Sequence, residues 1–570
     1  KNYFMKQAQQ YFPDEGKNPL LSNKESINNQ EMLSHDSIDT QGIIAKGKYC
    51  FEMHDANTSS ELFKKNDTAN LESNETALNH ALTLFTQNRK YDSIQIFKKI
   101  FAAGERRQNV MFVFAYALTE YGIEQKLDNY LKESIYYYTT ILSTKQDDAN
   151  VWNNLGMCLL YLQKVKEAGR CFVRSITIEN NNACFYNNLA LVARLENLPE
   201  QSVNCCRKAI KLNTEYSEAY NNLGNALKDL NNLEDAKVAY EKAVSLHPKA
   251  DFKCNLAIVL LAMGDFKSGW KMHEWRKISH ALKPSQPSFK KPQWNGDGTP
   301  GKTLLIYAEQ GFGDTIQFCR YAPMANSKGL RVLLCVSKPL VRLFESLQGV
   351  DAVVTDVQTE DFDFQCPVMS LPLAFQTDLD SIPSPGAYLF ASSEDIRFWE
   401  NKMVAIPGFK VGLVWSGQTR PHCSDFGFTN TQRSMPAEFF LPLMDIAGVQ
   451  YFNLQKGGPQ AKAMFKMINY IEQCHDFADT AALIMNLDLV ITVDTAVAHL
   501  AGALGKPVWV LNRFSGCWRW LRDRTDSPWY PTLRLFTQTT PGDWAGVMVR
   551  VKQALCEELT TKKIVFGGGR

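Results

Sequence analysis

The sequence predicts an α-helical repeat region followed by an α/β region made of two parallel-sheet halves. Three observations carry this prediction. A pattern of polar and apolar residues recurs every 34 residues between about residue 150 and residue 280, which is typical of stacked helix pairs. Beyond residue 300, short apolar strands alternate with helical patterns, as in doubly wound sheets. The break Ser381-Ile382-Pro383-Ser384-Pro385 then divides that region into comparable halves.

The repeat motif is Trp152-Asn153-Asn154-Leu155-Gly156, and it returns from Tyr186 and from Tyr220. Small, aromatic and terminating residues stand where a tetratricopeptide helix pair needs them, at Ala236, Tyr240 and Pro248. A fourth copy around Asn255 arrives one residue early and is interpreted as a modified terminal repeat. The sequence therefore predicts tetratricopeptide repeats.

One asparagine recurs in every copy, at Asn154, Asn188, Asn222 and Asn255. Residues that repeat once per unit line one edge of a superhelix, and a carboxamide offers both a donor and an acceptor. These asparagines are therefore candidates for binding an acceptor peptide by its main chain. The alternative, that they bridge neighbouring repeats, stays open.

The chain divides into four predicted parts. Residues 1–75 are polar and form a flexible or weakly helical lead-in. Residues 76–282 hold the repeats, with the strict copies in 150–280. Residues 283–385 form the first α/β half, and residues 386–570 form the second half with the principal ligand site and a C-terminal helix.

Composition restricts the partners. The chain has 570 residues and a net charge of +2, so no global field attracts nucleic acid or an anionic membrane. Its 14 cysteines include no Cys-x-x-Cys pair and are expected to be reduced, and no metal is assigned. The sequence shows neither a signal pattern nor a membrane span, which favours a cytoplasmic protein without membrane insertion. Because the chain begins at Lys1, a preceding leader stays open.

In the α/β region, ligands are expected at the carboxyl ends of the strands. The predicted strands are Thr303–Ala308, Arg331–Val336, Ala352–Thr355, Lys410–Trp415, Tyr451–Leu454, Leu489–Val493 and Val508–Leu511. The segment Gly296 to Thr303 matches the Walker A pattern, but it precedes a strand instead of following one. We therefore interpret it as a chance match.

The strand Leu489–Val493 runs directly into Asp494-Thr495-Ala496-Val497-Ala498-His499. A buried strand that opens a helix in this way presents free N–H groups and a positive dipole end, which suit a phosphate. The alternative is that Asp494 only caps the helix.

A second candidate motif follows the first strand, at Glu309-Gln310-Gly311-Phe312-Gly313-Asp314. Gly311 and Gly313 permit a tight turn and a close approach of ligand. The third glycine of a dinucleotide fingerprint is missing, which disfavours a dehydrogenase. Asp314 is a candidate general base for an acceptor hydroxyl, with a helix cap as the alternative.

Three further polar residues lie at strand ends in the second half. Ser416 and Arg433 are candidates for binding a diphosphate, since a guanidinium offers forked donors. Lys456 is a second candidate cation, although a solvated loop charge is the simpler explanation for it. The aromatic and basic segment from Phe514 to Tyr530 suits either ligand stacking or domain packing.

Residues of about 300 to 557 resemble glycosyltransferase family 9, the heptosyltransferase-like enzymes of the GT-B fold. The resemblance rests on Gly313-Asp314 and on the segment from Asp494 to Ala501, followed by Lys506-Pro507. It implies a GT-B pair of Rossmann-like domains, with Asp314 as catalytic base. It further implies that Asp494, Thr495 and His499 bind the donor sugar and phosphate. The other candidates for binding this donor come from their positions in the sequence: Ala496, Arg433, Ser416, Lys456, Gly311 and Gly313.

The repeats extend the resemblance to bacterial glycosyltransferases that carry tetratricopeptide repeats. Their layout is similar to that of the O-GlcNAc transferases, in which an asparagine-lined superhelix presents protein to the active site. Two residues depart from the family pattern: Met435 replaces a common aromatic residue and Ala496 replaces a common glycine. These departures leave the identity of the donor open.

Together these features predict an inverting, metal-independent glycosyltransferase. It would move a sugar from a nucleotide-diphosphate sugar, which is a co-substrate and not a cofactor, to a protein hydroxyl. The repeats would recruit the acceptor, and no nucleic acid is involved. Two alternatives stay open: a repeat scaffold with a vestigial GT-B half, and a heptosyltransferase that acts on a lipid-linked saccharide.

Overall fold

The computed structural model of this chain describes residues 74–279, 289–357, 361–417, 430–457 and 466–567. The predicted lead-in lies outside the described residues as far as position 73. The chain divides into two compact units, residues 1–196 and 197–570. Within the described ranges, no helix combines the length and the apolar character needed to cross a bilayer.

The first unit consists of antiparallel helix pairs. Its helices are Asn74–Thr86, Lys90–Ala102, Gln108–Gln125, Asp128–Thr144, Ala149–Tyr161, Val165–Ile178 and Ala183–Leu195. Asp148 caps the helix Ala149–Tyr161 by accepting from two backbone N–H groups, a favourable helix start. Gly156 allows this helix to approach its partner, since a Cβ there would lie 2.7 Å from Cε1 of Phe172.

The second unit begins with helices of the same type: Pro199–Leu212, Ser217–Asp229, Leu233–Leu246, Ala250–Ala262 and Phe266–His273. Gly224 repeats the role of Gly156, because a Cβ there would lie 2.7 Å from Cε1 of Tyr240. The same small-residue and aromatic contact thus recurs in two copies of the motif. The predicted tetratricopeptide repeats are confirmed.

Two parallel sheets follow in the second unit. The first contains β1 (Thr303–Tyr307), β2 (Arg331–Cys335), β3 (Ala352–Val354) and β4 (Phe364–Pro367), in the order β3-β2-β1-β4. The second contains β5 (Phe409–Val414), β6 (Val449–Asn453), β7 (Leu489–Val493), β8 (Val508–Asn512) and β9 (Leu533–Thr537), in the order β6-β5-β7-β8-β9. This α/β architecture is consistent with a GT-B-like fold and confirms the predicted fold class. The predicted strands lacked β4 and β9.

Further α-helices connect and flank these strands. Among the described residues they include Phe312–Phe318, Ala322–Ser327, Val341–Phe344, Leu371–Ala374, Ser393–Met403, Leu441–Met444, Phe477–Met485, Ala496–Ala503 and the long helix Trp544–Gly567. The last of them contributes Val547, Val551 and Leu555 to the apolar core beside the second sheet.

The terminal repeat is joined to the first sheet by buried polar contacts. The indole N–H of Trp270 donates to the carbonyl of Thr377 (2.9 Å). The Arg276 guanidinium donates to both carboxylate oxygens of Glu309, from Nε (3.0 Å) and from Nη2 (2.6 Å). Because both charged groups are almost fully buried, the pair fixes the loop after β1, where the first candidate motif begins.

Candidate functional site

The candidate motifs follow strands next to the point in each sheet where the strand order reverses. The chain passes from β1 outward to β2 and β3 and then returns to β4 on the other side of β1. It likewise passes from β5 to β6 and returns to β7 on the other side of β5. Gly311 to Asp314 follow β1, Ser416 follows β5 and Asp494 follows β7. In open α/β sheets, such switch points are where ligands bind.

Asp314 lies in the first turn of the helix Phe312–Phe318, hereafter the first-motif helix. The N–H of Gly311 donates to Asp314 Oδ2 (3.0 Å), so Asp314 does stabilise the start of this helix. Its other oxygen, Oδ1, accepts from Nη2 of Arg519. About a fifth of the Asp314 side chain remains exposed (20%). Asp314 therefore caps a helix and also faces a cation across the site.

Asp494 lies two residues before the helix Ala496–Ala503, hereafter the second-motif helix. The residue in the cap position is Thr495, and no side chain makes a capping hydrogen bond there. The hydroxyl of Thr495 instead shares a hydrogen bond with that of Thr492 (3.0 Å). The structure therefore does not support the alternative in which Asp494 caps this helix.

The two motif helices pack directly against each other at Gly313. A Cβ on Gly313 would lie 2.8 Å from Cδ2 of His499 and 3.4 Å from Cα of Ala496. A glycine is needed here because any side chain would push the helices apart. The packing brings the first turn of the Asp314 helix against the first turns of the second-motif helix.

His499 is held in a buried aromatic environment. Its Nδ1 shares a hydrogen bond with the hydroxyl of Tyr530 (3.0 Å), and its ring stacks on Trp520 with 5.4 Å between centroids. Burial, followed by the nearby positive charges of Arg519, Arg320 and Arg433, lowers the pKa of His499 well below its usual value. His499 is therefore neutral at pH 7 and acts as a hydrogen-bonding group, not as a cation.

Arg433 connects the ends of β5 and β7. Its Nη1 donates to the carbonyl of Asp494 (3.1 Å), and its Nε donates to Asn430 Oδ1 (3.1 Å). The guanidinium lies against Gly417, where a Cβ would meet Nη2 at 2.5 Å. Arg433 is thus placed beside Asp494, as the sequence predicted for a residue that braces a phosphate.

Ser416 and Lys456 are less available to a ligand. Ser416 is buried, and its hydroxyl donates to the carbonyl of Gly417 (3.0 Å) and to Ser434 (3.3 Å). Lys456 is exposed and donates to the carbonyl of Cys474. The structure brings Ser416 to the end of β5 but gives Lys456 a partner in a neighbouring loop.

Two of the repeated asparagines bridge neighbouring repeats. In the first unit, Asn188 Nδ2 donates to Asn153 Oδ1 (2.8 Å). In the second unit, Asn255 Nδ2 donates to Asn221 Oδ1 (2.9 Å). In each pair the recurring asparagine of one repeat contacts the asparagine one position earlier in the motif of the repeat before it. Asn154 accepts from Asn153 (3.2 Å), and Asn222 also has a polar partner.

The aromatic and basic segment serves mainly for packing. Trp518, Trp520, Trp529 and Tyr530 are all at most 4% exposed. Trp518 stacks on Phe318 of the first-motif helix, with 6.3 Å between centroids. Of the arginines, Arg522 pairs with Glu234 of a repeat helix and Arg524 pairs with Asp526. Ligand stacking by these rings is therefore not supported.

Arg519 is a site residue that the sequence interpretation did not single out. Besides Asp314, its guanidinium donates from Nε to Gln317 Oε1 (2.7 Å) and from Nη1 to Cys517 Sγ (3.2 Å). The only signal in the sequence was its position in the aromatic segment, where the neighbouring arginines have other partners. The contact with Asp314 joins residues 205 positions apart, and no local pattern predicts such a pair.

The remaining motifs have structural roles. The Walker-like segment precedes β1, and its Lys302 donates to Asp363 Oδ1 (3.0 Å). Asp363 Oδ2 accepts from the N–H of Thr303 at the amino end of β1 (2.9 Å), at the end of this strand away from Asp314. In the part of the chain that the structure describes, no three His, Cys, Asp or Glu side chains are grouped so as to hold a metal ion.

Known protein families match three segments of the chain. Residues 149–182 and 217–249 match tetratricopeptide-repeat models, and residues 475–512 match glycosyltransferase family 9 (heptosyltransferase). The last segment contains β7, Asp494 and the whole second-motif helix. The fold and these matches define a tetratricopeptide-repeat protein with a family 9-like α/β region, and they support glycosyltransferase activity.

Among curated proteins, the chain is similar to Protein FlbA of Caulobacter vibrioides. The two are 28% identical over 355 residues, which cover 57% of this chain and 58% of FlbA. The chain thus spans little more than half the length of that relative.

Similar solved structures include two repeat proteins. One is TTC0263, a thermophilic TPR protein of Thermus thermophilus, with 15% identity and a TM-score of 0.29, covering 33% of this chain and 100% of that chain. The other is PilF of Pseudomonas aeruginosa, with 16% identity and a TM-score of 0.31, covering 37% of this chain and 93% of that chain.

Proposed function

We propose that the α/β region is an inverting, metal-independent glycosyltransferase that moves a sugar from a nucleotide-diphosphate sugar to a hydroxyl of a protein. The observation that carries this proposal is the contact of Gly313 with His499 and Ala496. This contact packs the helix that carries Asp314 against the start of the second-motif helix, which supports a shared site. A base and an anion-binding helix start are the two elements that such a transfer needs.

In the proposed reaction, an acceptor oxygen attacks the anomeric carbon of the donor while its proton passes to Asp314. The bond between that carbon and the diphosphate oxygen breaks, and its electron pair stays on the diphosphate. The N–H groups at the start of the second-motif helix would stabilise this developing charge. Arg433, which donates to the Asp494 carbonyl, would add a cation beside them.

His499 would act without a charge of its own. Because its Nδ1 is bonded to Tyr530 and its ring is buried, its orientation is fixed before a donor arrives. A preorganised neutral donor group at the site of charge development avoids a reorganisation cost during the reaction.

The repeats would recruit the protein acceptor, as tetratricopeptide repeats suggest protein-protein interaction. Asn154, Asn188, Asn222 and Asn255 remain candidates for peptide contacts, although two of them already bridge repeats. If the repeats recruit the acceptor, a peptide acceptor should bind more weakly to a chain that lacks them than to the full chain.

The donor can be found by screening nucleotide-diphosphate sugars for a thermal shift of the full chain, since a ligand that binds the native state raises the melting temperature. With the donor identified, Asp314→Asn should lower turnover by about 100-fold or more, because the base is lost while the shape of the side chain is kept. Turnover is measured by release of the nucleotide diphosphate.

Asp363→Asn is the matched control. Asp363, like Asp314, accepts from one backbone N–H and one cationic side chain, but it lies at the other end of β1. Its variant should retain most of the turnover. Near-normal turnover of Asp314→Asn would remove Asp314 as the base, and the lack of a thermal shift with every nucleotide sugar would favour the scaffold function.

A further inference from the structure

Arg519 is fixed from several sides at the centre of the candidate site. Its three nitrogens donate to Gln317, Cys517 and Asp314, and its guanidinium lies 4.4 Å from the centroid of the Trp518 ring. Its side chain is 10% exposed. A planar guanidinium held in this way can exchange one partner for another without moving its stem.

The same guanidinium lies within electrostatic reach of both candidate carboxylates. Burial disfavours its charge, but the carboxylates of Asp314 and, to a smaller extent, Asp494 raise the pKa of Arg519 above its usual value. Its charge also lowers the pKa of His499, which begins the second turn of the second-motif helix. Arg519 thus contacts the proposed base, on a helix that packs against the second-motif helix at Gly313.

Asp314 has both carboxylate oxygens engaged in this arrangement. Oδ2 accepts from the N–H of Gly311 (3.0 Å), and Oδ1 accepts from Arg519. The Gly311 bond belongs to the helix start and persists as long as the helix does. Each carboxylate oxygen can accept more than one hydrogen bond, but Oδ1 already faces a cationic partner. Oδ1 is therefore the oxygen that the departure of Arg519 would open to an acceptor hydroxyl.

Resting on the proposed function, we propose that Arg519 is shared between Asp314 and the donor diphosphate, so that donor binding frees Asp314 Oδ1 to act as the base. A diphosphate carries more charge than a carboxylate and takes forked guanidinium donors well. When it binds beside the second-motif helix, it competes for Arg519. The donor then binds before the base becomes competent, and Arg519 is a positioning residue for Asp314.

The chemical step follows from this exchange. The acceptor hydroxyl gives its proton to Asp314 Oδ1 as its oxygen bonds to the anomeric carbon. The bond from that carbon to the diphosphate breaks, and the leaving oxygen keeps the electron pair. Arg519 now donates to the leaving group, where charge develops.

The test uses inorganic pyrophosphate as the probe and the full chain, with affinities measured by titration calorimetry in a double-mutant cycle. The Asp314 carboxylate would compete with pyrophosphate for the guanidinium of Arg519, so removing its charge should tighten pyrophosphate binding. We expect Asp314→Asn to tighten it by about tenfold in the wild-type background, the size of one charge-assisted hydrogen bond. In the Arg519→Gln background the same change should have an effect of less than about threefold, from charge alone.

Arg524→Gln is the matched control, because Arg524 lies in the same loop and pairs locally with Asp526. In that background Asp314→Asn should keep its tenfold effect. If Arg519→Gln does not melt like the wild type, the cycle is run with Arg519→Lys, which keeps the charge and loses the forked donors. In the Arg519→Lys background, the effect of Asp314→Asn on pyrophosphate affinity should still be smaller than in the wild-type background.

The outcomes separate this inference from the proposed function. If Asp314→Asn changes the pyrophosphate affinity by the same factor with and without Arg519, the shared role is overturned and the glycosyltransferase proposal stays intact. The absence of pyrophosphate binding by the wild-type chain would overturn both. If the tighter pyrophosphate binding caused by Asp314→Asn is lost when Arg519 is changed but kept when Arg524 is changed, the shared role is supported.

Discussion

The repeats and the α/β region each carry polar residues at regular places, and these residues have different partners. In the repeats, Asn188 and Asn255 each donate to an asparagine of the preceding repeat. In the α/β region, Asp314 and Asp494 follow strands at switch points and share the neighbourhood of Arg519. A residue that recurs with the repeat period also recurs at the repeat interface, so periodicity alone favours a structural role.

The difference lies in what satisfies each group. A repeat asparagine finds the neighbouring asparagine of the same motif in the preceding repeat, and both carboxamides are then partly or fully satisfied. Asp314 has no partner of this repeating kind. Its carboxylate accepts from the nearby N–H of Gly311 and from Arg519, which lies 205 positions away in the chain. Polar groups of the second kind are the better candidates for chemistry.

The largest effect that tests this comparison is expected at Gly313. In Gly313→Ala, the new Cβ would lie 2.8 Å from Cδ2 of His499, a ring that cannot yield because Trp520 and Tyr530 hold it. The motif helices must separate, and we expect turnover to fall roughly 10- to 100-fold. Overpacking should also cost about 1–3 kcal/mol of stability.

Gly156→Ala provides the matched change in a repeat. Its Cβ would lie 2.7 Å from Cε1 of Phe172, so a similar loss of stability is expected. Hydrolysis of the donor should stay near the wild-type rate, because a Cβ on Gly156 would meet Phe172 and no residue of the proposed transfer site. Equal losses of donor hydrolysis in the two variants would show that the helix contact at Gly313 has no special role.

A smaller effect is expected from the asparagines. Asn188→Ala removes the donor to Asn153, and because both side chains are buried, it leaves an unsatisfied acceptor. We expect a loss of about 1–2 kcal/mol in unfolding free energy, measured by chemical denaturation. Changing both residues, Asn153→Ala with Asn188→Ala, should cost less than the sum of the single changes, since no orphan remains.

The alternative function of these asparagines predicts a different pattern. If they serve chiefly to bind an acceptor peptide, Asn188→Ala should weaken peptide binding and leave the unfolding free energy unchanged. The outcome therefore decides between the two interpretations that the sequence left open.

Much of the fold could be predicted because its signals are local. The strand β7 has the predicted bounds, Leu489–Val493, since a run of buried apolar residues between polar ends is unambiguous. The two missed strands lack such runs. Phe364–Pro367 is four residues long and ends in proline, and Leu533–Thr537 carries an exposed arginine at its second position.

The site was predictable only in part, for the same reason. The positions of Gly313, Asp314 and Asp494 follow from strands that end in polar residues, and the sequence shows this directly. The pairing of Asp314 with Arg519 depends on how two sheets and a long loop pack, which no short segment records. The sequence left open whether the aromatic side chains around Arg519 stack on a ligand or pack the domain, and in the fold they are buried packing residues.

Two histidines that are buried in the described part of the chain, His273 and His499, offer a further contrast, because both lie in the second unit. Burial lowers the pKa of His273 and His499 well below the usual 6.5, and the charge of Arg519 adds to the effect at each. The folded state therefore binds fewer protons than the unfolded state as soon as the pH falls below about 6.5. Stability is full above that pH and declines as the pH falls through the range in which unfolded histidine gains its proton.

The smallest predicted effect is the pH slope of this stability. Each buried histidine should lower the unfolding free energy by about 1 kcal/mol per pH unit between about pH 6 and pH 5, measured by chemical denaturation at several pH values. His499→Asn keeps a partner for the hydroxyl of Tyr530 and removes one titrating group, so its slope should be about half that of the wild type. An unchanged slope would mean that His499 gains its proton as readily in the folded chain as in the unfolded one. Its ring would then be a cation at the proposed diphosphate site near pH 6, and the neutral role assigned to it would be wrong.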